Sequence, residues 1–398
     1  MDALTWLGFF LAILAILIIS RWHLAASLFT ASLILAVFTM GPGKFGSLGL
    51  ETFTDPGIVL MALAVGLIPM IGGYLETSGL MDSLVNNLRV NRRLFLGTTP
   101  ALLGMLPMPG GALLSAPLVK RGGVGVNDAA KVSLNVWFRH VIYMIYPIST
   151  ALIVSTYLAG LDVYQVIPFL FPFFLVTAFL GYWFFLREAK GKIEGRGEFS
   201  WKGLGIPLGI LLAAPILDFI LLNGARPEIR EVALIIAVAT SFVLAVYFSR
   251  TNLKKSWKVA KHMKPWNFGL IIFGMFLFLA IFQNSGVPEL IDALGLPNLV
   301  LCVGIGFLLG LVTGRIQVPA SIIIPLYLGS SGLLAMEPWH FAITYVSIFV
   351  GYVISPVHPC ISVSLEYFRV ELKDFIRAMA VPSAIIMIIV LAIGIFIF

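Results

Sequence analysis

The sequence predicts an all-α membrane protein of about ten transmembrane helices plus two re-entrant hairpins, arranged as two inverted-topology repeats of five spans and a hairpin. Three observations carry this expectation. First, 60% of the 398 residues are hydrophobic and only 11% are charged, with a mean hydropathy of +1.02. A soluble domain carries about 25% charge, so most of this surface must meet something other than water. Second, apolar runs approaching the roughly 20 residues that cross a bilayer recur along the chain, as at 7–19, 58–71, 166–185 and 384–398. Third, four short motifs of the first half return in the same order in the second.

Glu76-Thr-Ser78-Gly79 resembles Gln283-Asn-Ser285-Gly286, an offset of 207. Leu102-Leu103-Gly104 matches Leu308-Leu309-Gly310 at 206, and Ala116-Pro117-Leu118 matches Ile324-Pro325-Leu326 at 208. Tyr143-Met-Ile-Tyr146-Pro147 matches Tyr352-Val-Ile-Ser355-Pro356 at 209. The drift of only three residues marks an internal repeat. A first half, 1–187, holds spans near 3–20, 24–41, 57–79, 129–157 and 163–187. A second half, 203–398, holds spans near 203–222, 229–249, 267–286, 337–366 and 376–398, after a cytoplasmic linker at 188–202.

Between the third and fourth spans of each half lies an apolar segment broken by Gly and Pro, 93–120 and 298–327. Proline removes a helical hydrogen bond and clashes with the preceding turn, while glycine permits a sharp reversal. Each arm is about 13 residues, or about 20 Å of helix, too short for a hydrocarbon core of about 30 Å. A re-entrant hairpin and a kinked full span both remain open on this ground. Charge decides between them. With two hairpins and an external N-terminus, 21 of the 26 basic residues fall on the cytoplasmic side, three outside, and Arg139 and Arg315 stay in the membrane. With two full crossings the loops sort 15 against 9. Basic loops belong on the cytoplasmic side, so the hairpins are expected, with tips near 107–111 and 313–319. Each half then has an odd number of crossings, which inverts one repeat relative to the other. Both termini are expected outside a multi-pass protein of the cell membrane.

The net charge of +7 sits in loops between spans and gives no reason to expect nucleic acid. The stretch 251–266, with Lys254, Lys255, Lys258, Lys261 and Lys264 beside Trp257 and Trp266, reads as a basic helix anchored on the lipid bilayer surface. Cys302 and Cys360 lie in apolar segments, so neither a disulfide framework nor a metal cluster is expected. The N-terminal apolar run reads as the first span, since no basic region precedes it and no cleavage site follows.

Non-helical backbone at membrane depth must be covered by protein or reached by water. Hairpin tips, with spans broken at Pro147 and Pro356, therefore mark a central polar cavity. The pattern Gly104-Met-Leu-Pro-Met-Pro-Gly-Gly-Ala-Leu-Leu-Ser-Ala-Pro117, followed by Arg139-His140 and Tyr146-Pro147, resembles a family of prokaryotic membrane proteins, the domain of unknown function 401. That family is similar to the ion-transporter superfamily, alongside gluconate, citrate and dicarboxylate permeases. The resemblance implies an elevator-type carrier, often a homodimer, with two hairpins and two broken helices around its substrate. The Ser-Asn-Thr tripeptides that dicarboxylate carriers of that superfamily hold at their hairpin tips are absent here.

Candidate binding residues follow from cost. An intramembrane charge is expensive and usually functional, which singles out Arg139 and Arg315 for a substrate anion. Each also has a bland reading, as a clamp on carbonyls freed at a helix break or, for Arg139, as a side chain reaching to the surface. Thr313 and Gln317 flank Arg315 at the second hairpin turn. Gly110 and Gly111 open the second arm of the first hairpin, where free N–H groups suit an anion; close helix packing is their other reading. Pro319-Ala320-Ser321 opens the matching arm of the second hairpin. Ser149, Thr150 and His358 follow the two breaks and are expected to line the same cavity. His140 and His358 otherwise read as packed and hydrogen-bonded, and Glu76, Asp218 and Glu366 as solvated span ends.

The function these features point to is secondary transport of a small anionic solute, an organic carboxylate foremost. Export or flipping of a phosphate-bearing metabolite or lipid head group is the alternative, since phosphate is also an anion. A channel would need a continuous polar lining, and an enzyme a nucleophile–base pair; no His-Glu-x-x-His, Gly-x-Gly-Asp or Gly-x-Ser-x-Gly occurs. No cofactor is expected, and Na+ or H+ coupling stays open.

Overall fold

Among the described residues, α-helices follow one another in two sets of ten. A computed structural model describes residues 2–20, 22–106, 111–191, 198–224 and 230–398; among these there is no strand. The first set is α1 (Asp2–Ile19), α2 (Leu24–Thr39), α3 (Pro42–Thr54), α4 (Pro56–Thr77), α5 (Leu80–Asn87), α6 (Arg92–Gly104), α7 (Gly111–Gly122), α8 (Asp128–Val141), α9 (Thr150–Leu158) and α10 (Val163–Gly181). The second is α11 (Trp201–Gly224), α12 (Arg230–Ser249), α13 (Leu253–Met263), α14 (Pro265–Gln283), α15 (Val287–Asp292), α16 (Gly306–Thr313), α17 (Gln317–Ser331), α18 (Pro338–Val353), α19 (Pro359–Phe368) and α20 (Leu372–Ile397). From the seventh helix onward the two sets start 206 to 210 residues apart, as Gly111 to Gln317 and Asp128 to Pro338.

The helix starts are written into the chain. Asp55 accepts from the Ile58 N–H at 2.8 Å with Pro56 as the first helical residue, and Asn127 accepts from the Ala130 N–H at 2.7 Å. Asp162 and Gln165 form a reciprocal capping box at α10. Such caps satisfy N–H groups that have no partner within the helix.

Among the described residues, six helices are long and apolar enough to cross a membrane: α4, α10 with its π-helical continuation Tyr182–Leu186, α11, α12, α14 and α20. In α4 72% of the apolar window is buried, against 28% in α11 and α20. The first is therefore an interior helix, and the other two present apolar side chains outward as a lipid-facing helix must. α1 and α2 are apolar but shorter. The chain is a multi-pass, all-α membrane protein. Four of the described helices lie outside the expected spans and hairpins: α5, α13, α15 and α3, the last a glycine-bearing segment that packs on α14 and α4.

Both broken segments fold back on themselves. In the first, Arg92 Nε donates to the Gly122 carbonyl at 2.5 Å, so the start of α6 meets the end of α7. In the second, Asn298 Nδ2 donates to Ser331 Oγ at 3.4 Å, joining the start of the first arm to the end of α17. The arms pack along one another in each case. Of the expected first tip, 107–111, residues 107–110 lie outside the described residues and Gly111 begins α7. The second turns at 314–316, where Gly314 has φ of +60°.

The mouth of the first hairpin is tied to the end of α10 and the linker. Arg92 NH1 donates to the Lys190 carbonyl at 2.8 Å, and Arg93 NH2 to that of Arg187 at 2.6 Å. Near the second mouth, the Met336 N–H donates to the Ala159 carbonyl at 2.9 Å, just before α10 begins. The two mouths thus lie at opposite ends of α10 and its π-helical continuation, whose 24 residues together span about 36 Å.

The two halves interlock. α2 packs on α14 and, reciprocally, α12 on α4; α7 packs on α19 and α17 on α9; α10 packs on α18 and α20 on α8. Glycines let the hairpin arms lie flush on the broken spans. A Cβ at Gly104 would overlap the Arg139 carbonyl, and one at Gly310 the Ile348 carbonyl. Small residues at such crossings let backbones approach closely. The spans break where expected, at a 3₁₀ turn Ile142–Met144 followed by Pro147, and between Val353 and Pro359 around Pro356.

Candidate functional site

Arg315 stands at the turn of the second hairpin. Thr313 Oγ1 donates to the Arg315 carbonyl at 3.2 Å and so helps hold the turn. Gly314 is required there twice over: its φ is positive, and a Cβ would come within 2.9 Å of the His358 nitrogen. The Arg315 side chain lines a cavity of about 260 Å³ together with Gln317, Thr150, Lys264, Asn267 and His23. Gln317 is the first residue of α17, and Thr150 the first of α9, so two helix N-termini border this space. Trp22, His23 and Lys264 sit at its exposed end. No acidic side chain occurs among the described lining residues. The sequence pointed to Arg315, Gln317 and Thr150, and the fold brings these three together; it adds Lys264, which the sequence assigned to lipid anchoring.

Arg139 lies elsewhere. It is 2% exposed, and its NH1 donates to the Gly111 carbonyl at 3.0 Å. A Cβ on Gly111 would overlap the guanidinium, so glycine at this position makes room for the arginine. Gly110 lies outside the described residues. Ser149 is buried at the start of α9 without a capping bond, and Thr150 alone of the pair reaches the cavity.

His358 is also buried, and it faces His140 with ring centroids 4.6 Å apart. Nδ1 of His140 lies 2.6 Å from the Val136 carbonyl, and Nδ1 of His358 lies 3.2 Å from that of Tyr352. Hydrogen bonds also cross between the halves here: Asn135 Nδ2 to Ser364 Oγ at 3.0 Å, and the Tyr345 hydroxyl to the Tyr143 carbonyl at 3.2 Å.

The expectation of a solvated Asp218 is corrected. It is 6% exposed and accepts from the Tyr164 hydroxyl at 2.9 Å. Glu231 is buried beside it, while Arg230 pairs with Asp162 at 2.9 Å. Position near the end of a span did not imply exposure, because α10, α11 and α12 converge there.

No curated protein matches the chain. Among solved structures, the crystal structure of the YdaH transporter of Alcanivorax borkumensis is similar, with a TM-score of 0.56 and 18% sequence identity over 89% of this chain and 86% of that one. The likeness is one of fold. The family described as "Protein of unknown function (DUF401)" matches residues 3–397, and the chain belongs to that family.

Proposed function

We propose that the protein is a secondary carrier of a small anionic solute, an organic carboxylate, bound in the cavity at the second hairpin turn. One observation carries this reading. Arg315 and Lys264 line a space of about 260 Å³ with no acidic side chain among its described lining residues. Such a space lies below the roughly 300–1,000 Å³ typical of drug-sized ligands, which suits a small metabolite. Arg315 offers a planar fork for a carboxylate, Gln317 and Thr150 supply neutral donors, and the N-termini of α9 and α17 favour negative charge. The fold shared with a structure described as a transporter supports the same reading.

The two halves act in this proposal as inverted repeats, with the hairpins entering from opposite faces. The opposed hairpin mouths and the reciprocal packing support it. In this proposal the Trp22–Lys264 end is cytoplasmic, the conformation is open inward and both termini lie outside the cell membrane; the charge sorting of the loops supports this orientation. Alternating access then moves hairpins and broken spans past the remaining helices, and resemblance to the ion-transporter superfamily supports an elevator in a homodimer. Arg139, bonded to the Gly111 carbonyl, serves as a clamp within the first hairpin.

The test is Arg315→Gln in proteoliposomes, with a substrate chosen by thermal-shift screening of organic anions, since a ligand stabilises by mass action. The variant should fold normally yet lose counterflow by tenfold or more, on the order of 1.4 kcal/mol. Undiminished counterflow in a well-folded variant removes this cavity from the transport path.

A further inference from the structure

His140 stands at the end of the first arm of one broken span, while His358 and Cys360 open the second arm of the other. Although 218 residues separate the two histidines in sequence, a ring nitrogen of each and the Cys360 sulfur lie within 4.8 Å of one another. We propose that His140, His358 and Cys360 form a binding site for a soft monovalent transition-metal ion, of the copper(I) class. The site is distinct from the anion cavity and does not depend on it.

The histidines are set up as ligands. Each Nδ1 faces a backbone carbonyl, Val136 at 2.6 Å and Tyr352 at 3.2 Å. A carbonyl only accepts, so each Nδ1 carries the proton and each Nε2 keeps its lone pair. Carbonyl-oriented imidazoles of this kind are the usual outer arrangement of a metal site. The rings are also held in place: Tyr352 stacks on His358 at 4.2 Å, and Tyr143 meets the His140 ring edge-on at 5.3 Å. Cys360 is partly exposed, beside exposed Pro359, which leaves an entry side at the sulfur. A trigonal site with bonds of about 2.1 Å has ligand atoms about 3.6 Å apart. A change in the Cys360 rotamer and small ring shifts would close that gap.

The ligand set selects the ion. Thiolate and imidazole are soft to borderline donors that suit copper(I). Among the described residues no fourth His, Cys, Asp or Glu joins the cluster, and zinc in structural sites takes four ligands. Charge points the same way. Two neutral imidazoles and one thiolate leave a copper(I) centre with no net charge, whereas a divalent ion would place a second positive charge beside Arg139.

The experiment titrates reduced, detergent-purified protein with copper(I) against bicinchoninate, a coloured competitor. Wild type should take one equivalent per chain from the competitor, and Cys302→Ser should do the same. Cys360→Ser and His140→Gln should each weaken retention by at least about 100-fold. X-ray absorption of the loaded wild type should show a three-coordinate copper with one sulfur and two imidazole nitrogens; this keeps the proposal exposed even where a variant fails to fold. Wild type that takes no copper, copper held equally by Cys360→Ser, or an absorption spectrum without imidazole would each overturn it. Tight four-coordinate zinc with no copper uptake would overturn the assignment of the ion.

Discussion

The Arg139 guanidinium occupies the place where any residue other than glycine at position 111 would put its Cβ, and it donates to the Gly111 carbonyl at 3.0 Å. The carbonyl of the same arginine lies under Gly104. One residue of α8 is therefore locked to both arms of the first hairpin, which ties α6, α7 and α8 into one body.

Gly111→Ala should break that lock. Overpacking a tight interior commonly costs about 1–3 kcal/mol, so the variant should unfold at lower temperature in detergent. Gly205→Ala, where nothing lies within 4 Å of an added Cβ, should leave the midpoint unchanged or slightly raised, as alanine is the better helix former. Equal midpoints for Gly111→Ala and wild type would mean the guanidinium can move aside freely.

Gly314→Ala strains the second hairpin turn. A left-handed conformation costs an L-residue about 1–2 kcal/mol, and the new methyl would press on the His358 nitrogen and the Val357 side chain. Expected outcomes are a lowered melting temperature and a loss of anion uptake larger than that of Gly332→Ala. Gly332 shares the positive φ but has open space around it, so similar behaviour of the two variants would show that strain at the tip is of no consequence.

The fold-back of the second hairpin is open to crosslinking. Cysteines at Asn298 and Ser331, whose side chains meet at 3.4 Å, should join readily under mild oxidant in a background lacking Cys302 and Cys360. Two ends of a continuous crossing would stand about 30 Å apart or more and could not react.

Topology predicts a fourth result. Lys190→Cys, in the segment that carries the mouth of the first hairpin, should react with a membrane-impermeant maleimide only when the cytoplasmic face is accessible. Labelling from outside intact cells would reverse the orientation of every span.

Much of this architecture is legible in the chain because apolar length and Gly/Pro punctuation act locally. Breaks at Pro147 and Pro356 follow from residues within one turn of them. α3 escapes such reading because its glycines and alternating polarity look like a loop, and it is its packing on α14 and α4 that fixes it as a helix. Arg315 is conspicuous as a lone charge in an apolar run, whereas Lys264 hides among five lysines of 254–264; only the cavity singles it out. The approach of His140 to His358 is not visible at all, since it depends on two distant breaks meeting in space.

Reciprocal packing has a consequence for how the ribosome delivers this protein. α1 and α2 can pair as soon as both are made, but α4 packs on α12 and α2 on α14. At roughly 5–20 residues per second, α4 must wait on the order of ten seconds or more before Arg230–Ser249 emerges. Through that interval helices destined for the interior stand in lipid with their small and polar faces uncovered. Nascent chains truncated before α12 should therefore be good clients of membrane quality control, and the first half expressed alone should survive only when the second is supplied beside it.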